Sequence, residues 1–148
     1  MGDAASKNMD FLHILAGTSL PKLGSLTVLG TSNIASVRYQ IGSTFDTLGF
    51  IDKYSIEKNI KILCMHKEIR PKEAAKMLHL FDLWNYKGRA FGKCTREQKK
   101  RMEIVCALIG NPEIILLDKP LQFLKGGTAL IVCKLLLKAA ANGQTVFI

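Results

Sequence analysis

An α/β fold, a parallel sheet with helical crossovers and an all-helical insertion, is what this sequence predicts, on three observations. The run Asn111-Pro112-Glu113-Ile114-Ile115-Leu116-Leu117-Asp118-Lys119-Pro120 leads an Asn-Pro turn into an unbroken apolar strand that stops on one carboxylate. The second half of the chain alternates helix, strand, helix, strand, which favours parallel strands joined by crossovers. From Ser55 onward the apolar residues recur at helical rather than strand spacing.

Taken in order, Phe11 to Ala16 has a helical pattern, and Gly17 supplies the usual C-terminal stop. A strand is expected over Ser25 to Leu29, ended by Gly30, and a second over Ser36 to Ile41, ended by Gly42. A loop rich in Gly, Thr and Asp follows. Ile56, Ile60 and Leu63 then share one helix face, and Pro71 is tolerated in the first turn of another helix with Leu78, Phe81 and Leu83 as its apolar stripe. Thr95-Arg96-Glu97-Gln98 is a capping-box pattern opening a helix through Met102, Val105, Cys106 and Ile109, which Gly110 and Pro112 stop. The strand Ile114 to Leu117, a helix over Thr128 to Ala141, an Asn142-Gly143 turn and a strand Thr145 to Ile148 complete the pattern.

The 148 residues suffice for one core, with 48 % hydrophobic and 22 % charged residues. A domain of this size buries roughly 68–70 % of its unfolded surface. No apolar run reaches the roughly 18 residues that span a bilayer, since Thr128 to Ala141 is interrupted by Lys134 and Lys138. The first residues carry an acid and no arginine, unlike a signal or transit peptide. Cys64, Cys94, Cys106 and Cys133 form no Cys-x-x-Cys pair and have no histidine at ligand spacing, so they read as reduced thiols in a reducing compartment, with no metal site. The net charge is +9. Its Lys and Arg concentrate in 61–76 and 87–101. Such clusters contact phosphates, acidic lipid or an acidic protein face, or else are solvated helix surface. Few aromatic residues interleave, which favours the solvated surface over nucleic acid; Lys67, Arg70, Lys72 and Lys76 are expected in water, and Trp84 in packing.

Five landmarks in order resemble the nucleotide-binding domain of ABC-type ATPases. They are Leu15-Ala16-Gly17 (end of the P-loop helix), Ile41-Gly42 (start of the Q-loop), Ser55-Ile56-Glu57-Lys58-Asn59-Ile60 (start of the helical subdomain), Gln98-Lys99-Lys100-Arg101 with Ala107-Leu108 (signature helix), and Asn111 to Pro120 (Walker B). The resemblance implies a partial P-loop NTPase fold: one domain over 1–148 lacking the N-terminal strands and the C-terminal part, with a helical subdomain at about 55–100. It also places the family's functional positions. The P-loop falls on Gly2 to Met9, where Asn8 takes the place of the lysine and Lys7 that of the last glycine; a one-residue slip matches Ser6 and Lys7 but shortens the loop. The Q-loop glutamine falls on Asp46. The signature Leu-Ser-Gly-Gly-Gln appears as Cys94-Thr95-Arg96-Glu97-Gln98, where capping alone accounts for Thr95 and Gln98. Asp118 keeps the Walker B carboxylate, Lys119 replaces the glutamate after it, and Lys125 replaces the D-loop aspartate. A Lys119–Asp118 ion pair is expected in place of a metal site.

The resemblance with these departures implies a pseudoenzyme with no catalytic residue. Ser6, Lys7, Asn8, Asp46, Thr95, Gln98, Asp118 and Lys119 are then vestigial nucleotide-site positions, with no bound cofactor. Its role is an accessory or structural subunit among other protein subunits of a larger membrane-associated or organellar complex, peripheral to a membrane protein and in a mitochondrial setting. The alternative is a degenerate or split half of an ABC transporter ATPase, of the kind serving haem or cytochrome c maturation, using ATP and Mg²⁺ together with a competent partner. A third reading, a basic module on RNA, lacks an aromatic stacking platform.

Overall fold

The computed structural model describes residues 4–148, with side chains from Asp10 onward. Its elements are α1 (Ala4–Leu15), α2 (Ile34–Val37), β1 (Ile41–Ser43), α3 (Ile56–His66), α4 (Pro71–Leu80), α5 (Arg96–Leu108), β2 (Ile114–Leu116), α6 (Gly126–Ala141) and β3 (Thr145–Phe147), with short 3₁₀ turns between them. The strands lie in the order β1-β2-β3, both pairs parallel, with Ile41 opposite Ile114 and Ile114 opposite Thr145. The α/β class and parallel sheet are as expected.

Strand periodicity divides the apolar run of β2 between two cores. Ile114 and Leu116 join Leu12 and Leu15 of α1 and Ala16 just after it, with Val28, Ile41 and Phe45. Ile115 and Leu117 join Met102, Val105 and Cys106 of α5, Val132 and Leu136 of α6, and Leu78, Phe81 and Leu83. An α/β sheet sandwiched this way needs apolar residues at every position of its middle strand, which is why alternation is missing there.

Local chemistry sets the helix ends. Ser55 Oγ accepts the Lys58 N–H at 3.1 Å and starts α3. Inside that helix Asn59 is buried without penalty because its amide bonds both main-chain groups of Ile51 and the carbonyls of Tyr54 and Ser55. Pro71 occupies the first turn of α4. Gly42 serves a packing need: a Cβ there would stand 1.9 Å from the Ala107 carbonyl oxygen, so α5 crosses β1 at backbone contact.

Two predicted strands are corrected. Ser25 to Leu29 is irregular, with one bridge between Val28 and Thr31 around Leu29 and Gly30, both at positive φ; Leu26 and Val28 pack into the α1 core and have no neighbouring strand among the described residues. Ser36 to Ile41 is helical through Gln40, and the strand begins at Ile41 and runs through Gly42. Gly42 suggests a stop, but it is a contact glycine inside the strand. The first helix is also longer than Phe11 to Ala16 and takes in residues from Ala4.

Candidate functional site at the carboxyl ends of the strands

Because β1 and β2 are parallel, their carboxyl ends open on the same side, the place where open α/β sheets bind ligands. A groove of about 460 Å³ lies there. Its walls are Thr44, Phe45 and Leu48 beyond β1, Asp118, Gln122 and Phe123 beyond β2, His13 of α1, and Arg96, Lys99, Lys100 and Glu103 of α5. Main-chain bonds hold Asp118 on both sides: its N–H donates to Thr44 Oγ1 at 3.2 Å, and its carbonyl accepts Lys100 Nζ at 3.3 Å. Lys100 is buried and pairs with Glu103 at 2.5 Å. His13 stacks on Phe45, ring centroids 4.1 Å apart. The half-buried Asp118 carboxylate has no ion-pair partner among the described residues.

Asp46 follows β1 but does not face this groove. Its side chain is 2 % exposed and sits between Arg38 and Lys67, the latter at 2.5 Å. Arg38 Nη1 and Lys67 Nζ also donate to the Ile41 carbonyl at 3.0 and 2.8 Å. Lys67 is therefore a buried ion-pair member, which corrects its expected place in solvent: the end of α3 delivers its ammonium to the one buried carboxylate within reach.

Thr95 and Gln98 form a reciprocal cap. Thr95 Oγ1 accepts the Gln98 N–H at 3.2 Å, and Gln98 Oε1 accepts the Thr95 N–H at 3.0 Å and an Arg89 N–H at 3.2 Å. Glu97 accepts from Arg101 at 2.8 Å, and that bond lowers its carboxyl below the ordinary range. The residues of α5 that line the groove are instead Arg96, Lys99, Lys100 and Glu103. Sequence reasoning passed over this set, although its i, i+3, i+4, i+7 spacing marks one helix face.

Lys119 does not line the groove. With φ +44 it lines a separate cavity of about 310 Å³ with Pro120, Cys133, Leu136 and Ile148. The expected Lys119–Asp118 ion pair is absent among the described residues: Asp118 lines the groove, and Lys119, at positive φ, lines the neighbouring cavity. Of the P-loop candidate, Gly2 and Asp3 lie outside the described residues; Ser6, Lys7 and Asn8 belong to the helical backbone of α1, their side chains outside the description. From Ala4 on, that backbone has no open loop whose N–H groups could wrap a phosphate. Thr44, Thr47, Glu103, Asp118 and Gln122 bring side-chain oxygens to the groove, and Mg²⁺ beside phosphates needs only one or two protein ligands; no group of three or more His, Cys, Asp or Glu able to hold a metal occurs among the described residues. Cys64, Cys94 and Cys106 are buried free thiols and Cys133 is exposed; burial pushes the Cys106 thiol well up.

A family profile described as "ABC transporter" matches residues 10–122. The chain is 27 % identical to the probable multidrug ABC transporter ATP-binding protein YbhF of Escherichia coli, covering 80 % of this chain and 22 % of that protein. It is 28 % identical to the human cholesterol transporter ABCA5, covering 99 % of this chain and 10 % of that one. Less than a quarter of either relative is thus spanned. Among solved structures, the dimeric bacterial ABC transporter cassette MJ0796 superposes with a TM-score of 0.78 at 23 % identity, covering 98 % of this chain and 69 % of that one; this likeness shows the fold.

Proposed function

The chain belongs to the ABC transporter family, and from that premise we propose that it serves as the non-hydrolysing member of an ATP-binding pair at a membrane transporter. The observation that supports this reading is the difference between Asp118 and Lys119: Asp118 lines the groove, while the residue after it does not and bears the wrong charge to act as a base. A positioned base contributes about 10²–10⁴-fold in rate. Glu103, the other carboxylate of the groove, is held by Lys100 at 2.5 Å. Competent hydrolysis would come from the paired chain, and passage through the bilayer from the membrane-spanning part of the transporter; no described helix of this chain is long and apolar enough to cross a membrane.

A second reading, an accessory subunit that holds no nucleotide, is favoured by the helical backbone from Ala4 where a phosphate cradle would lie. Photo-crosslinking of an ATP analogue with Mg²⁺ to the assembly containing this chain separates the two. Labelling of a peptide around Asp118, reduced by Asp118→Asn, supports the pair. An unlabelled chain that stays in the assembly at high salt supports the accessory subunit.

A further inference from the structure

Two segments that take no part in the groove are joined into one surface by main-chain bonds. Ile56 and Glu57 donate to the Arg89 and Lys87 carbonyls at 3.0 and 2.9 Å, and Phe91 and Gly92 donate to those of Tyr54 and Asp52 at 2.9 and 3.0 Å. This brings together Lys53, Lys58, Lys87, Arg89 and Lys93, and none of the five has a carboxylate at ion-pair distance among the described residues. Arg38, Lys61, Lys67, Arg70, Lys100, Arg101 and Lys125 each have one, and the other unmatched cations, such as Lys72, Lys76, Lys134 and Lys138, lie outside these two joined segments. Of the two acids on the surface, Glu57 is matched by Lys61 at 3.5 Å, leaving Asp52 against five cations.

Three of these cations lie over aromatic rings. Lys58 Nζ is 3.5 Å from the Tyr54 centroid, Lys87 Nζ 3.6 Å from that of Trp84, and Arg89 Cζ 5.0 Å from that of Tyr86. His79 stacks on Trp84 at 4.3 Å. These contacts qualify the expectation that few aromatic residues interleave with the basic clusters: Tyr54, Trp84 and Tyr86 each carry a cation. They also occupy the ring faces on which nucleobases would stack, which disfavours single-stranded nucleic acid. Ile51 and Tyr86 remain exposed beside the cations, at 45 % and 37 %. Lysines unmatched by acid, aromatic residues with a polar tip and an exposed aliphatic residue together suit the boundary between headgroups and acyl chains.

We propose that this surface docks on an anionic phospholipid membrane, with Lys53, Lys58, Lys87, Arg89 and Lys93 meeting headgroup phosphates. The proposal is independent of nucleotide binding and of any permease, so it is tested on the full chain alone. Co-sedimentation is measured with phosphatidylcholine vesicles and with vesicles containing phosphatidylglycerol. The expected result is binding to the anionic vesicles only, weakened about fivefold per neutralised cation in a Lys58→Gln/Lys87→Gln/Arg89→Gln/Lys93→Gln variant. A control with the same loss of charge elsewhere, Lys72→Gln/Lys76→Gln/Lys134→Gln/Lys138→Gln, should keep its binding; circular dichroism verifies that both are folded. Equal weakening in the control would reduce the effect to net charge and overturn the proposal. So would no binding to anionic vesicles at low salt, or tighter, equally surface-dependent binding to duplex RNA.

Discussion

Asp46 and Asp118 lie just beyond neighbouring parallel strands, at the same end of the sheet, yet their surroundings are opposite. Asp46 is enclosed by Arg38 and Lys67, its side chain 2 % exposed. Asp118 is held through its main chain by Thr44 and Lys100 and lines a groove. Position at the end of a strand makes a carboxylate a candidate; the cations that the helices bring to it determine whether it holds the fold together or stays available. Taking two charges out of water costs several kcal/mol per ion, so the Asp46 group is stable only as a complete set. Asp118 needs no such set.

The largest expected effect tests that difference. Asp46→Ala leaves the Lys67 ammonium buried without its partner and should cost about 3–5 kcal/mol in urea unfolding. Replacing both charges, as in Asp46→Leu/Lys67→Met, should recover more than half of that loss. A cost below about 1 kcal/mol for Asp46→Ala, the range of a surface pair, would show that the ion cluster does not hold this end of the sheet.

Next in size, Gly42→Ala places a methyl against the Ala107 carbonyl beside the same cluster, and should destabilise by about 1–3 kcal/mol or more. Gly126→Ala has open space around its Cβ and should raise stability by roughly 0.5–1 kcal/mol. Equal effects of the two would mean that α5 does not press on β1. On the groove side, Thr95→Ala removes one arm of the cap and should cost about 1 kcal/mol, while Thr95→Ser should be close to neutral in the same melting assay.

The smallest effect completes the contrast. Asp118→Asn should change stability by less than about 0.5 kcal/mol, since no ion pair among the described residues depends on it, while reducing analogue labelling. A large loss of stability would place Asp118 in the same class as Asp46. Thiol labelling gives an independent readout: Cys133 should react in the folded chain, and Cys64, Cys94 and Cys106 only on unfolding. Asp46→Ala should bring the buried thiols within reach at lower urea, whereas Asp118→Asn should not.

Much of the framework was legible in the residues. Pro71 at the first turn of α4, the Thr95/Gln98 cap and the apolar run of β2 each act through neighbours a few positions away, so local pattern sufficed. The strand at Ser25 to Leu29 failed because Leu26 and Val28 are buried by α1, a partner that no local pattern reveals. Ser36 to Ile41 is not a strand because the extended segment begins only at Ile41 and continues through Gly42, whose small size serves contact with a helix more than sixty residues later in the chain.

The candidate site divides in the same way. Asp118 at the end of an apolar strand and Thr95 with Gln98 could be named from spacing alone, and the helix face Arg96, Lys99, Lys100, Glu103 was present in the spacing as well. The enclosure of Asp46 by Arg38 and Lys67, the place of Lys119 in the lining of another cavity and the joining of 51–58 to 84–93 depend on where distant segments come to rest. Helix caps and strand periodicity are short-range and written in consecutive residues. Pairing of charges and the cavity that a residue lines depend on long-range packing, and only the folded chain settles them.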